Sequence, residues 1–336
     1  MKKLLYIAIV GITLIITYGC KKNNRTGEVV QSYKNGEISS DSLLSYLSDS
    51  TNYNGVLDWA NQHQGDKDFA DYILGRAYKF GLGVDSDLIK SKAYYRNAAL
   101  NGNINAMSGL GQLYACYPDQ EDLDSAYYWF NEAIKNGDAE NYFNLVMLEN
   151  IRKSNEGLPV DTALIVGYLE KGASMNDPKC TTELASLYTT GEGVAMDLKK
   201  AFDMLSTFPE DRLDDEGLFL LGQLYESRDV SSPNYNEALR LYRKSANQGN
   251  TYAICNIGVY YHFGVCVEQS DSLAFVHYKK SADAGNPCGM RFIGICYMDG
   301  IAVKQNADKA WWWYRKAAKN GDTESINLCK QYNVEY

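Results

Sequence analysis

The side chains able to do chemistry are few and dispersed. The three histidines, His63, His262 and His277, lie far apart, and the last two fall on different predicted helices with no carboxylate at metal-ligand spacing. A zinc or general-base site needs several such groups converging. The sequence contains no His-Glu-x-x-His, no Cys-x-x-Cys and no EF-hand loop. Asp85 and Asp87 could form an acid–base pair, but Asp87 also stands where a helix needs a cap, and that use explains it. Of eight cysteines, Cys20 ends an apolar run, leaving Cys116, Cys180, Cys255, Cys266, Cys288, Cys296 and Cys329. Seven is odd, so at least one is unpaired or links chains. They do not recur at matching positions, and they read as small buried hydrophobes. No catalytic residue, metal site or cofactor is assigned. The net charge of −9 excludes a phosphate backbone as the natural ligand.

The elements that would position a site begin with the N-terminus. Met1-Lys2-Lys3 precedes an apolar run from Leu4 to Thr17, too short for a comfortable membrane span and suited to a signal-peptide core. Gly19-Cys20 closes the run and resembles the lipobox of bacterial lipoproteins, although Tyr18 stands where a small residue is usual. The resemblance implies a signal peptide over residues 1–19 and diacylated Cys20 as the membrane anchor. Residues 20–40 are polar and without apolar periodicity, and they read as a tether.

The rest, at this length, would strain a single core, but it repeats. A small residue inside an apolar helix recurs at Gly75, Gly111, Val146, Ala185, Gly222, Gly258 and Gly294. A cap-type residue follows at Asp87, Asp122, Asp161, Asp197, Asn234, Ser270 and Asn306. A small pair comes late in the next helix, as at Ala98-Ala99, Ser245-Ala246, Ser281-Ala282 and Ala317-Ala318. The spacing runs from 35 to 39 residues. A mid-helix glycine costs about 1 kcal/mol against alanine, so its recurrence means that the partner helix packs on bare backbone. The caps begin each second helix by accepting its orphan N–H groups, and Gly102, Gly137, Gly249, Gly285 and Gly321 stop it. Phe208-Pro209 replaces the fourth small pair and predicts a short second helix there. The tyrosines three residues past each small mark, and those of the second helices, read as packing residues. Trp311 and Trp312 fall outside this pattern, and one of them is expected at the surface.

Leu74-Gly75…Tyr78…Gly81-Leu82-Gly83-Val84…Asp87…Ala98-Ala99…Gly102 resembles the Sel1-like, tetratricopeptide-like repeat. Residues 293–321 resemble it still more closely, through Lys309-Ala310 and Trp313-Tyr314-Arg315-Lys316-Ala317-Ala318. The third unit departs, with Glu149 in place of the tyrosine and a longer turn. The resemblance implies an all-α, right-handed α-solenoid. Degenerate capping helices would span 41–67, seven repeats 68–322, and a C-terminal capping helix 323–336. Some relatives staple helix pairs with disulfides.

The resemblance also implies a non-enzymatic adaptor that binds a protein or peptide on its concave face, lined by the first helices. Positions −3, +1 and +4 from each small mark share one helical face and vary between repeats. They nominate Tyr72, Arg76, Lys79, Gln112, Phe219, Gln223, Glu226, His262, Arg291 and Met298 as partner-binding residues. That mixture suits a peptide or helix, with membrane contact through the lipid and no small molecule or nucleic acid. The alternative is a glycan-binding or cell-wall-processing, hydrolase-like lipoprotein: exposed tryptophan would serve the first, and the second lacks a nucleophile paired with a base.

Overall fold

The computed structural model describes residues 25–38, 40–115, 120–156, 161–230 and 232–336, and these are helices and turns without a β-strand. The expected signal peptide, Cys20 and Cys116 lie outside the described residues. No described helix is long and apolar enough to cross a membrane. Two compact units divide the chain at residue 160.

In the first unit, helix α1 (residues 25–34), α2 (Ser40–Ser48) and α3 (Tyr53–Gln62) precede two hairpins and a further helix. The hairpins are α4 (Lys67–Phe80) with α5 (Leu88–Leu100) and α6 (Ile104–Ala115) with α7 (Gln120–Lys135); α8 (Glu140–Glu156) follows. Helix α1 corrects the tether reading. Val30 is buried in one core with Leu43, Leu47 and Trp59, and Tyr33 packs on Phe69 at a ring distance of 5.6 Å. The segment is polar in composition, but four-residue spacing of Thr26 and Val30 sets one buried face, which a search for long apolar periodicity misses.

The second unit starts with α9 (Thr162–Ser174) and continues with α10 (Pro178–Thr190), α11 (Leu198–Thr207), α12 (Asp215–Glu226) and α13 (Tyr235–Gln248). It ends with α14 (Thr251–Phe263), α15 (Asp271–Asp283), α16 (Pro287–Asp299), α17 (Ala307–Lys319) and α18 (Thr323–Gln331). The expected third repeat is therefore divided, α8 falling in one unit and α9 in the other.

Local chemistry explains the hairpins. Asp87, Asp161, Asp197, Asn234, Ser270 and Asn306 each accept a backbone N–H from three residues on. Asp122 departs from the expectation and lies inside α7. The bare backbone of the first helices carries rings. A Cβ on Gly75 or Gly111 would meet Tyr95 or Phe130 at 2.5 Å, and one on Gly222, Gly258 or Gly294 would meet Tyr242, Tyr278 or Tyr314 at 2.6–2.7 Å. The small residues of the second helices add hydrogen bonds: Ser245 Oγ donates to Asp215 O at 2.6 Å and Ser281 Oγ to Thr251 O at 2.7 Å. Helix α11 is short, as Phe208-Pro209 predicts, and a single 3₁₀ turn (Glu210–Arg212) follows it. Arg240 of α13 holds that turn through Glu210, at 2.8 Å from Nη1 to Oε1. With Lys244 beside it, this contact pulls the Glu210 carboxyl down to about 2.

Candidate interaction groove

First helices of successive repeats lie against each other, α4 on α6 and α6 on α8 in one unit, α10 on α12 and α14 on α16 in the other. Between α10, α12 and the start of α14 they leave a groove of about 370 Å³. Ser186, Phe219 and Gln223, residues of the varying face, line it with Glu183, Glu216 and Tyr252. Tyr252 is 48% exposed, and its ring stands 6.1 Å from that of Phe219. Burial beside Glu216, Glu192 and Asp214 pushes the Glu183 carboxyl up, and burial beside Asp214 and Asp215 does the same to Glu216. Like charges held together without a cation resist ionisation. The groove thus combines an aromatic ledge with carboxylates that a positive group would relieve.

The expected face is open in some repeats and closed in others. Position −3 is buried at Tyr72 (3%), Thr182 and Cys255 but half-open at Ser108, Phe219 and Arg291. Tyr72 is accordingly a core residue, tilted against Phe69 and Tyr95 at 5.8 and 6.0 Å. In α10 solvent reaches positions −2, +1 and +5, Glu183, Ser186 and Thr190, whereas position −2 is buried at Ile73 and Gly109. That face of α10 shares position +1 with the nominated stripe and departs from it at the two ends. Glu183 was missed because position −2 was not sampled, and Glu216 and Tyr252 because they lie six residues before the small marks Gly222 and Gly258, ahead of the sampled stripe.

Several other nominated residues have internal partners. Arg76 Nη2 donates to Ser48 Oγ at 2.9 Å, with its guanidinium over Phe80, so it docks the capping helix α2. Lys79 Nζ reaches Gln112 Oε1 at 2.9 Å and links two first helices. Glu226 accepts the hydroxyls of Tyr242, at 2.9 Å, and of Tyr260. Arg291 pairs with Asp322 at 3.2 Å and with Glu324 at 2.6 Å, tying the last repeat to α18. Met298 is half-buried, and its carbonyl accepts Gln305 Nε2 at 2.7 Å. His262 has Nδ1 2.7 Å from Asp271 Oδ1, because the hairpin turn returns α15 beside the end of α14. Among the described residues no three potential metal ligands cluster. Of the tryptophan pair, Trp312 is the exposed one, at 54%.

Six segments match the Sel1 repeat, residues 69–103, 104–138, 178–206, 215–250, 251–286 and 289–322, together well over half of the chain. The divided pair α8 and α9 is the expected repeat left without a match. A protein of Neisseria meningitidis serogroup B, described as uncharacterized protein NMB1327, is 25% identical over 225 residues, which are 58% of this chain and 47% of that one. The chain therefore spans about half the length of that relative. The crystal structure of c5321, a protective antigen of uropathogenic Escherichia coli with an SLR fold, superposes with a TM-score of 0.62 at 23% identity. That alignment covers 93% of this chain and 68% of the other. A Sel1 repeat protein from Oxalobacter formigenes gives a TM-score of 0.58 at 20% identity, covering 94% and 90% of the two chains. At these identities the structures speak for the shared helical solenoid alone. The chain belongs to the Sel1 repeat family, whose members serve in general as non-catalytic scaffolds for protein interaction.

Proposed function

We propose that this chain is a lipid-anchored scaffold of the bacterial cell envelope that holds an extended segment of a protein partner in the groove over α10, α12 and α14. A basic side chain of that segment lodges by Glu183 and Glu216, and a neighbouring apolar one rests on Phe219 and Tyr252. The observation that carries the reading is that two carboxylates, Glu183 and Glu216, and the 48% exposed ring of Tyr252 meet in one groove beside the ring of Phe219, which also packs on Tyr242. Arg76 and Arg291 take no part in capture.

A randomised library of labelled soluble peptides tests the groove. Bound peptides should be enriched in Lys or Arg, and the double variant Glu183→Gln/Glu216→Gln should weaken them about tenfold or more, the worth of one charge-assisted contact. Undiminished affinity in that variant would remove the groove from the proposal. The anchor rests on the apolar run and Gly19-Cys20. Replacing Cys20 with serine should move the full-length protein from the membrane to the soluble fraction, and unchanged fractionation would refute lipidation.

A further inference from the structure

Two thiols that the repeat pattern does not relate meet in the second unit. Cys255 of α14 is fully buried, Cys288 of α16 is partly open to solvent, and their sulfurs lie 3.1 Å apart. Cys288 is the second residue of α16, directly after Pro287, in the turn that Asn286 caps. One turn further on, Arg291 places Nη2 3.8 Å from the same sulfur. The geometry points to Cys255 and Cys288 as a dithiol that a disulfide donor converts into a cross-link between neighbouring first helices, with Cys288 as the attacking thiol and Cys255 as the resolving one.

The roles follow from the surroundings. Attack on a disulfide requires a thiolate that solvent can reach. Cys288 is the accessible member, and the hydrogen bond from Cys255, then the charge of Arg291, hold its thiol below the ordinary value. Cys255 is closed off from any external disulfide, and its thiol is pushed up by the Cys288 sulfur and by burial. It can reach one electrophile, the Cys288 sulfur beside it. By contrast Cys296 and Cys329 are buried, and burial pushes their thiols up. Cys266 is exposed, and its thiol donates to Tyr235 O at 3.5 Å.

The step balances. The Cys288 thiolate attacks a donor R–S–S–R, forming a Cys288–S–R bond and releasing one R–S⁻, which takes up a proton. Cys255 loses its proton to solvent and attacks the Cys288 sulfur, forming the Cys255–Cys288 bond and expelling the second R–S⁻. The chain loses two hydrogens and is oxidised, and the donor is reduced to two thiols. Because sulfurs 3.1 Å apart need only a small approach to reach bonding distance, the product requires local side-chain rotation rather than refolding. The inference is independent of the groove and of the anchor, although an extracytoplasmic location supplies such donors.

The test uses the full-length protein carrying Cys266→Ser, reduced and then exposed to oxidised glutathione. After blocking of free thiols and digestion without reductant, the Cys255 and Cys288 peptides should appear joined. The variant Cys255→Ser should stop at glutathione bound to Cys288, and Cys288→Ser should leave Cys255 unmodified. Closing a loop of this length should raise the Tm of the oxidised protein by roughly 5–15 °C, reversed by dithiothreitol. Both thiols remaining alkylatable after glutathione treatment would overturn the proposal. So would a reaction that halts at the mixed disulfide in the chain retaining both thiols, or a Tm that does not depend on redox state. Circular dichroism of the serine variants separates loss of fold from loss of reactivity.

Discussion

The hairpin α12–α13 and its predecessor α10–α11 solve one packing problem in two ways. In α12–α13 the first helix offers bare backbone at Gly222, and the ring of Tyr242 lies on it, within 2.7 Å of where a Cβ would stand. In α10–α11 the equivalent positions hold Ala185 and Leu205, both fully buried. Where the first helix keeps a Cβ, the second gives up its ring. The volume is conserved across the interface, as close-packed interiors demand. The exchange also separates their histories at the C-terminal end: α13 runs 14 residues to a glycine stop, whereas α11 ends after 10 and hands the chain to the turn that Glu210 and Arg240 secure. The repeat is therefore a constraint on paired residues rather than on single ones.

That comparison can be broken most forcefully at the glycine. Gly222→Ala forces a methyl into the Tyr242 ring and should destabilise the fold by about 1–3 kcal/mol, the usual penalty of overpacking, read as a lower urea midpoint of the far-ultraviolet signal. Adding Tyr242→Leu recreates the Ala185–Leu205 combination, and the double variant should be more stable than the sum of the single effects predicts. Strict additivity would show that the two positions are not coupled. A smaller effect sharpens the same point from the other side. Ala185→Gly should cost only about 0.5–1 kcal/mol, the helix-propensity difference, because Leu205 has no ring to exploit the bare backbone. A midpoint shift as large as that of Gly222→Ala would contradict the pairing rule.

Much of this architecture is legible in the chain because it is local. Caps, stop glycines and small pairs act within a few residues of themselves, and each recurs where the neighbouring repeat has its own. The proline after Phe208 shortens α11 for the same local reason. Helix α1 was hidden because its buried face is brief and its partners, Phe69 and Trp59, are more than twenty residues away. Burial within the nominated stripe was hidden for a related cause. A helical wheel gives the faces of an isolated helix, but only the packed neighbours decide which positions close, and they took Tyr72, Thr182 and Cys255 inside.

The sequence by itself determined the all-helical repeat, its period and its family membership, since these depend on short-range hydrogen bonding and helical periodicity. The tertiary structure alone decided which carboxylates gather at Glu183 and Glu216, that Arg76 and Arg291 are spent on the capping helices, and that Cys255 meets Cys288. Those contacts span roughly thirty residues, one repeat, and no local preference encodes them. They exist because successive hairpins stack, and stacking sets distances that the linear order of residues does not contain.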